Sequence, residues 1–214
     1  MSDTLMERLQ QAPVVPLIQA EEPGIAVATA EALLAGGLGV IEVVLRTDEA
    51  LNCLRQVVSS VPGAIVGAGT VLTASQAGAA IDAGAAFIVS PGLDRAVVKV
   101  AQSSGSPVFP GIATATELQH AWNLGLDTVK FFPASLAGGT AMLKALASVF
   151  RGVRFMPTGG ISPANLAEYL AVPAVIACGG SWLTPAADIG SGNFAAITRL
   201  ASEALEIAAA VREA

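Results

Sequence analysis

Histidine is almost missing from this chain. Its 214 residues contain one, His120, within TATELQHAWNLG, a stretch that reads as helix. A Ser-His-Asp centre would have to run through that single imidazole, and a three-histidine metal centre cannot be built. A helix surface is the ordinary place for such a residue, so histidine chemistry is set aside. Cysteine is nearly as scarce: Cys53 and Cys178 are too few for a disulfide scaffold or a zinc site, and read as buried free thiols in a reducing cytosol. Long apolar runs are lacking too. Although 53% of the residues are hydrophobic and the mean hydropathy is +0.65, no window of about 18 residues escapes charges and breakers. The opening MSDTLMERLQQ carries Asp3, Glu7 and Arg8 and no uninterrupted apolar core, so it does not read as a signal peptide.

Charge is sparse, at 13%, and the balance of 11 basic against 17 acidic side chains gives 11 − 17 = −6. With a pI near 4.7, nucleic acid and anionic membrane surfaces are poor main partners, although a local basic pocket can still take a phosphate. A chain this apolar and this short of charge is not disordered. No linker, composition shift or low-complexity tract interrupts it. The reading is a cytoplasmic protein with one domain over residues 1–214.

What is present is a beat of short, β-branched runs. They are Val14–Ile18, Val40–Arg46, Ala64–Val71, Phe87–Pro91, Pro107–Ala113, Thr128–Pro133, Arg154–Gly159 and Ala174–Gly179. Their starts lie 20 to 26 residues apart, room for one helix and two short loops each time. Helix starts are marked by Asp48, Thr73, Asp94 and Thr114, and helix ends by Gly36-Gly37, Gly84, Gly105 and Gly125. Continuous apolar strands alternating with helices make a parallel sheet covered on its outer face. Eight such units predict a single (β/α)8 TIM barrel, for which about 200–250 residues are needed. The dinucleotide-binding alternative wants a G-x-G-x-x-G turn after the first strand, and none follows Ile18. Two helices fall outside the repeat, over residues 3–11 and roughly 191–212.

Barrel chemistry concentrates at the carboxyl ends of the strands, where alternate residues point inward. In Val40-Ile-Glu-Val-Val-Leu-Arg46, Glu42 and Arg46 are four apart and share a side, separated by about 13 Å at the usual strand rise. An inward carboxylate with a guanidinium at the mouth is one possibility; an internal ion pair is the other. Of three lysines, Lys99 and Lys144 fall in helices, whereas Lys130 lies inside the apolar strand Thr128-Val-Lys-Phe-Phe-Pro133. An unpaired ammonium there is costly. Desolvation favours the free amine, which can attack a carbonyl and form a Schiff base. Lys130 neutralised by Glu42 as a structural pair is compatible with that chemistry, since a carboxylate beside the amine can shuttle protons. The third strand ends in Thr70, flanked by glycines that let a ligand approach the backbone. Gly159-Gly160 after strand seven and Gly179-Gly180 after strand eight expose N–H groups where barrels commonly hold phosphate. A Schiff-base lysine, a carboxylate, an arginine and a phosphate cradle point to a phosphorylated 2-oxo acid cleaved by a retro-aldol step.

Seven segments, in order, resemble the 2-keto-3-deoxy-6-phosphogluconate (KDPG) / 4-hydroxy-2-oxoglutarate (KHG) aldolases, class I enzymes on a small (β/α)8 barrel. They are Gly37–Arg46, Gly67–Val71, Ser90–Gly92, Phe109–Ile112, Val129–Ala134, Met156–Ser162 and Gly179–Trp182. The resemblance implies Lys130 as the Schiff-base lysine and Glu42 as the general acid/base. It implies Arg46 and Thr70 for the carboxylate of the pyruvate half, Pro91 and Phe132 shaping the pocket, and Thr158 and Ser181 on the distal substrate. The Gly159-Gly160 and Gly179-Gly180 loops would hold the phosphate. It further implies cleavage to pyruvate and glyceraldehyde 3-phosphate, a homotrimer, no cofactor, no metal and a place in the Entner–Doudoroff pathway. This chain departs from the family's common pattern at Val44 (usually threonine), Ala115 (often proline) and Ser135 (often acidic). Alternatives are KHG or the galactonate epimer as substrate, or a metal-free sugar-phosphate isomerase using Glu42 as base with Lys130 merely electrostatic; a non-catalytic binding barrel would leave Lys130 without a role.

Overall fold

Strands whose two faces are both apolar must be covered on both sides, and the described residues, 2–212 of a computed structural model, satisfy that demand with a barrel. After helix α1 (Ser2–Gln11) come β1 (Val14–Ile18), α2 (Pro23–Ala35), β2 (Val40–Val44), α3 (Ala50–Ser60), β3 (Ile65–Gly69) and α4 (Ala74–Asp82). Next are β4 (Ile88–Ser90), α5 (Arg95–Ser103), β5 (Val108–Ile112), α6 (Ala115–Asn123) and β6 (Thr128–Phe131). The chain continues with α7 (Gly139–Val149), β7 (Arg154–Pro157), α8 (Leu166–Leu170), β8 (Cys178–Gly180), a 3-10 turn (Ser181–Leu183), α9 (Ala186–Gly190) and α10 (Phe194–Arg212). All pairings are parallel in the order β7-β6-β5-β4-β3-β2-β1-β8, and bridges Phe155–Val175 and Thr158–Gly179 bring the two edges together.

Alternation along each strand divides the apolar residues between two cores. Outward Ile41, Val43, Val129 and Phe131 pack beneath the helices. Inward Val15, Val40, Phe87, Val89, Phe109 and Met156 fill the amino-terminal half of the barrel, where Leu5 and Leu9 of α1 close its floor. The Phe87 and Phe109 rings meet at 5.9 Å and 53°. Caps act at three of the four starts the sequence marks: Thr73 accepts from Gln76, Asp94 from Ala96 and Val97, and Thr114 forms a capping box with Glu117.

Some boundaries differ from the sequence expectation. Asp48 does not cap α3; it lies in a turn in which the Ala50 N–H donates to the Thr47 carbonyl, and Glu49 takes the N-cap position without a side-chain cap. The eighth strand is Cys178–Gly180 rather than Ala174–Gly179, because residues 172–175 turn back on themselves through Val175 N–H to Val172 O. The last helix starts at Phe194 rather than near 191, since Ser191 and Gly192 close the unanticipated short helix α9. His120 lies exposed on α6, and no described helix is long and apolar enough to cross a membrane. Burial pushes the Cys178 thiol far above its ordinary value, and burial followed by the nearby Glu49 carboxylate raises Cys53, so both free cysteines favour the protonated thiol.

Candidate active site

Glu42 is the third residue of β2 and Lys130 the third of β6. These strands stand four places apart in the eight-strand order, on opposite walls, and two long side chains meet across the interior. Lys130 Nζ lies 3.8 Å from Glu42 Oε1, and the side chains are only 4% and 3% exposed. The ammonium position also lies 5.3 Å from the centroid of the Phe132 ring, near enough for a cation–π contact. Glu42 Oε1 is the one buried side-chain polar atom without a hydrogen-bond partner among the described residues. A desolvated acceptor of that kind is costly to leave unpaired, so this oxygen is open to a donor from a bound molecule.

The glycines around this pair make room for the protein's own side chains. A side chain at 67 would strike the Phe87 ring, one at 69 the Glu42 carboxylate, and one at 111 the Pro91 carbonyl. The expectation that the glycines beside Thr70 admit a ligand to the backbone is corrected accordingly: their space is already filled from neighbouring strands.

Arg46 reaches the mouth by a different route from the one its spacing suggests. Strand β2 ends at Val44, and the Arg46 N–H bends back to the Val44 carbonyl, so pleat alternation does not orient Arg46. Its Nε donates instead to Thr70 Oγ1 at 3.0 Å. Thr70 is the one described non-glycine residue with a positive φ, +56°, a conformation that carries a strain cost at the carboxyl end of β3. With Nε engaged by Thr70, the two terminal nitrogens of Arg46 have no hydrogen-bond partner among the described residues and form the fork suited to a carboxylate. Arg46, Val44, Leu17 and Ser181 line a cleft of about 630 Å³ at this end of the barrel. A second cavity, of about 400 Å³, opens at the opposite end beside Leu5, Met6 and Arg154, remote from the Lys130–Glu42 pair.

The other predicted residues gather at the carboxyl end with different exposures. Pro91 and Phe132 are half-buried, Thr158 is buried, and Ser181 is exposed. Gly159 and Gly160 form a loop with φ of +95° and +77°, packed against Phe132 and Pro133 at Gly159 and against Ser135 at Gly160. Gly179 and Gly180 differ from expectation: they belong to β8, buried against Thr158 and Trp182, rather than to a loop beyond it. Asn165 was not anticipated. Its Oδ1 accepts from the Ser162 N–H at 2.8 Å and its Nδ2 donates to the Gly160 carbonyl at 2.9 Å, clamping the glycine loop. The Ser162-to-Asn165 spacing is a faint sequence sign of that clamp. Among the described residues no group of three His, Cys, Asp or Glu side chains is gathered that could hold a metal ion.

The parallel eight-stranded barrel holds a buried amine facing a buried carboxylate across its interior, and its relatives place the chain among the class I aldolases. The family model described as KDPG and KHG aldolase matches residues 5–200. The chain belongs to that family. It is 48% identical over 207 residues to the 2-dehydro-3-deoxy-phosphogluconate aldolase of Treponema pallidum, covering 95% of this chain and 97% of the relative. The crystal structure of the KDPG aldolase of Zymomonas mobilis ZM4 with 3-phosphoglycerate is 47% identical, with a TM-score of 0.87 over 92% of this chain and 93% of that one. The KDPG aldolase from Legionella pneumophila, with pyruvate captured at low pH as a covalent carbinolamine intermediate, is 42% identical, with a TM-score of 0.89 over 92% and 96%.

Proposed function

We propose that this protein cleaves 2-keto-3-deoxy-6-phosphogluconate to pyruvate and glyceraldehyde 3-phosphate through an imine on Lys130. The observation that carries the reading is the Lys130–Glu42 approach of 3.8 Å inside the barrel. The free amine of Lys130 attacks the C2 carbonyl, and loss of water from the carbinolamine gives the imine. Glu42 then takes the C4 hydroxyl proton as the C3–C4 bond breaks. The bonding electrons pass into C3 as an enamine, with the imine nitrogen as their sink, and the aldehyde leaves. Glu42 returns the proton to C3, and water hydrolyses the imine, releasing pyruvate and restoring the amine. Glu42 Oε1, which has no hydrogen-bond partner among the described residues, supports this role, because the substrate hydroxyl supplies the donor it lacks.

In this reading Arg46 and Thr70 hold the carboxylate, Pro91 and Phe132 shape the pocket, and Thr158 and Ser181 contact the distal half of the substrate. The Gly159-Gly160 loop and the Gly179-Gly180 segment take the phosphate. The Zymomonas relative, with 3-phosphoglycerate, supports a phosphorylated ligand, and the Legionella carbinolamine supports the covalent step. The finer proposals are one domain over residues 1–214, action in the cytoplasm within the Entner–Doudoroff pathway, and assembly as a homotrimer. Apolar side chains at the surface, Leu136 at 86% and Val149 at 72% exposure, support assembly.

The test is the intact mass after incubation with pyruvate and borohydride, followed by peptide mapping. A single reduced pyruvyl adduct on the peptide carrying Lys130 is expected. No adduct in folded protein would remove the aldolase reading in favour of a barrel isomerase. Cleavage rates on KDPG, its galactonate epimer and KHG then rank the substrates.

A further inference from the structure

The carboxylate of Glu42 lies over the α-carbon of Gly69 on the neighbouring strand. A β-carbon at position 69 would overlap Glu42 Oε1, the oxygen that faces Lys130 Nζ at 3.8 Å. The Gly69 backbone has nowhere to retreat: it pairs with Val44, and its carbonyl accepts from the Leu45 N–H at 2.8 Å. Its φ is not in the left-handed region, so an L-residue fits the backbone itself. Any extra methyl would therefore be accommodated by the flexible end of Glu42, in a pocket where that side chain is 3% exposed.

We infer that Gly69 is a positioning residue: its missing side chain is the seat of the Glu42 carboxylate, and it sets the alignment of the proton shuttle without touching the substrate. The inference rests on Glu42 being that shuttle. Gly69→Ala should still accept pyruvate on Lys130 under borohydride to the stoichiometry of the parent, because Nζ is untouched. Its exchange of pyruvate methyl protons with deuterated water should slow by at least about tenfold, with kcat for cleavage falling in step. In a Glu42→Gln background, Gly69→Ala should add less than about twofold, since the group it positions is already gone. Parent-like exchange in Gly69→Ala overturns the inference, as does a further tenfold loss in the Glu42→Gln background. If Gly69→Ala does not accumulate as folded protein, it is made again in a Glu42→Ala background, where the group that a β-carbon at 69 would strike is gone: recovery of folded protein there supports the seat, and continued failure to fold overturns it. Unchanged exchange in Glu42→Gln would remove the shuttle reading itself. Slow exchange in Glu42→Gln beside normal exchange in Gly69→Ala removes only the positioning role.

Discussion

The two halves of the barrel interior are built from the same strands to opposite ends. Toward the amino end, β2 contributes Val40, β5 Phe109 and β7 Met156, and the space is filled against α1. Two residues further along the same strands, on the same inward face, stand Glu42, Gly111 and Thr158. One inward step thus exchanges large apolar side chains for a carboxylate, a glycine and a hydroxyl. The lower layer excludes water and holds the strands in register; the upper layer has room because the lower one needs no help from it. Stability and chemistry are separated by about one strand repeat, roughly 6–7 Å.

Removing the amine tests the upper layer hardest. Lys130→Met should lower cleavage roughly 10⁴-fold or more and abolish borohydride trapping, measured by turnover and intact mass. Near-parent cleavage would mean that the interior pair is structural. The lower layer should fail in the opposite sense. Phe87 is fully buried, and Phe87→Ala should cost about 3–5 kcal/mol in a denaturant titration. Turnover per folded molecule should stay within about tenfold, because the reacting groups remain. A catalytic collapse without loss of stability would erase the distinction between the layers.

The mouth provides a smaller test. Arg46 spends Nε on Thr70 and offers its terminal fork outward. Arg46→Lys keeps a charge but loses the fork and the tie, so KM for the oxo acid should rise about 10–100-fold, with kcat changed less. Unaltered apparent affinity would show that the carboxylate is held elsewhere.

Sequence logic read these regions unequally, for physical reasons. The strands were legible because a barrel strand buries both faces and so reads as an apolar run; a lysine or glutamate within one stands out at once. The route of Arg46 was not legible, since counting by twos presumes a strand that in fact ends at Val44. The start of β8 was obscured because Ala174–Ile176 is apolar, yet Ala174 and Val175 belong to the turn at residues 172–175. Gly67 and Gly69 looked like open backbone, and only the packing of Phe87 and Glu42 from other segments reveals what their missing side chains accommodate. Local capping chemistry sits at the other extreme, since Thr114 and its partner lie within one helical turn.

That capping box gives the mildest contrast, far from the lysine. The backbone N–H of Ala113 is the leading cause holding the Glu117 carboxyl below its ordinary value; the Thr114 hydroxyl and N–H add to it against a partial desolvation cost. A carboxyl lowered in the folded state contributes stability that is fully present above its unfolded value and is lost as pH falls through the folded one. Glu117→Gln should therefore lower the denaturant midpoint slightly at neutral pH, and the gap should close as the solution is made acidic. Imine formation at neutral pH should be unchanged. A gap that persists at low pH would mean that the cap acts through shape and not through charge, leaving Glu117 outside the pH dependence of the fold.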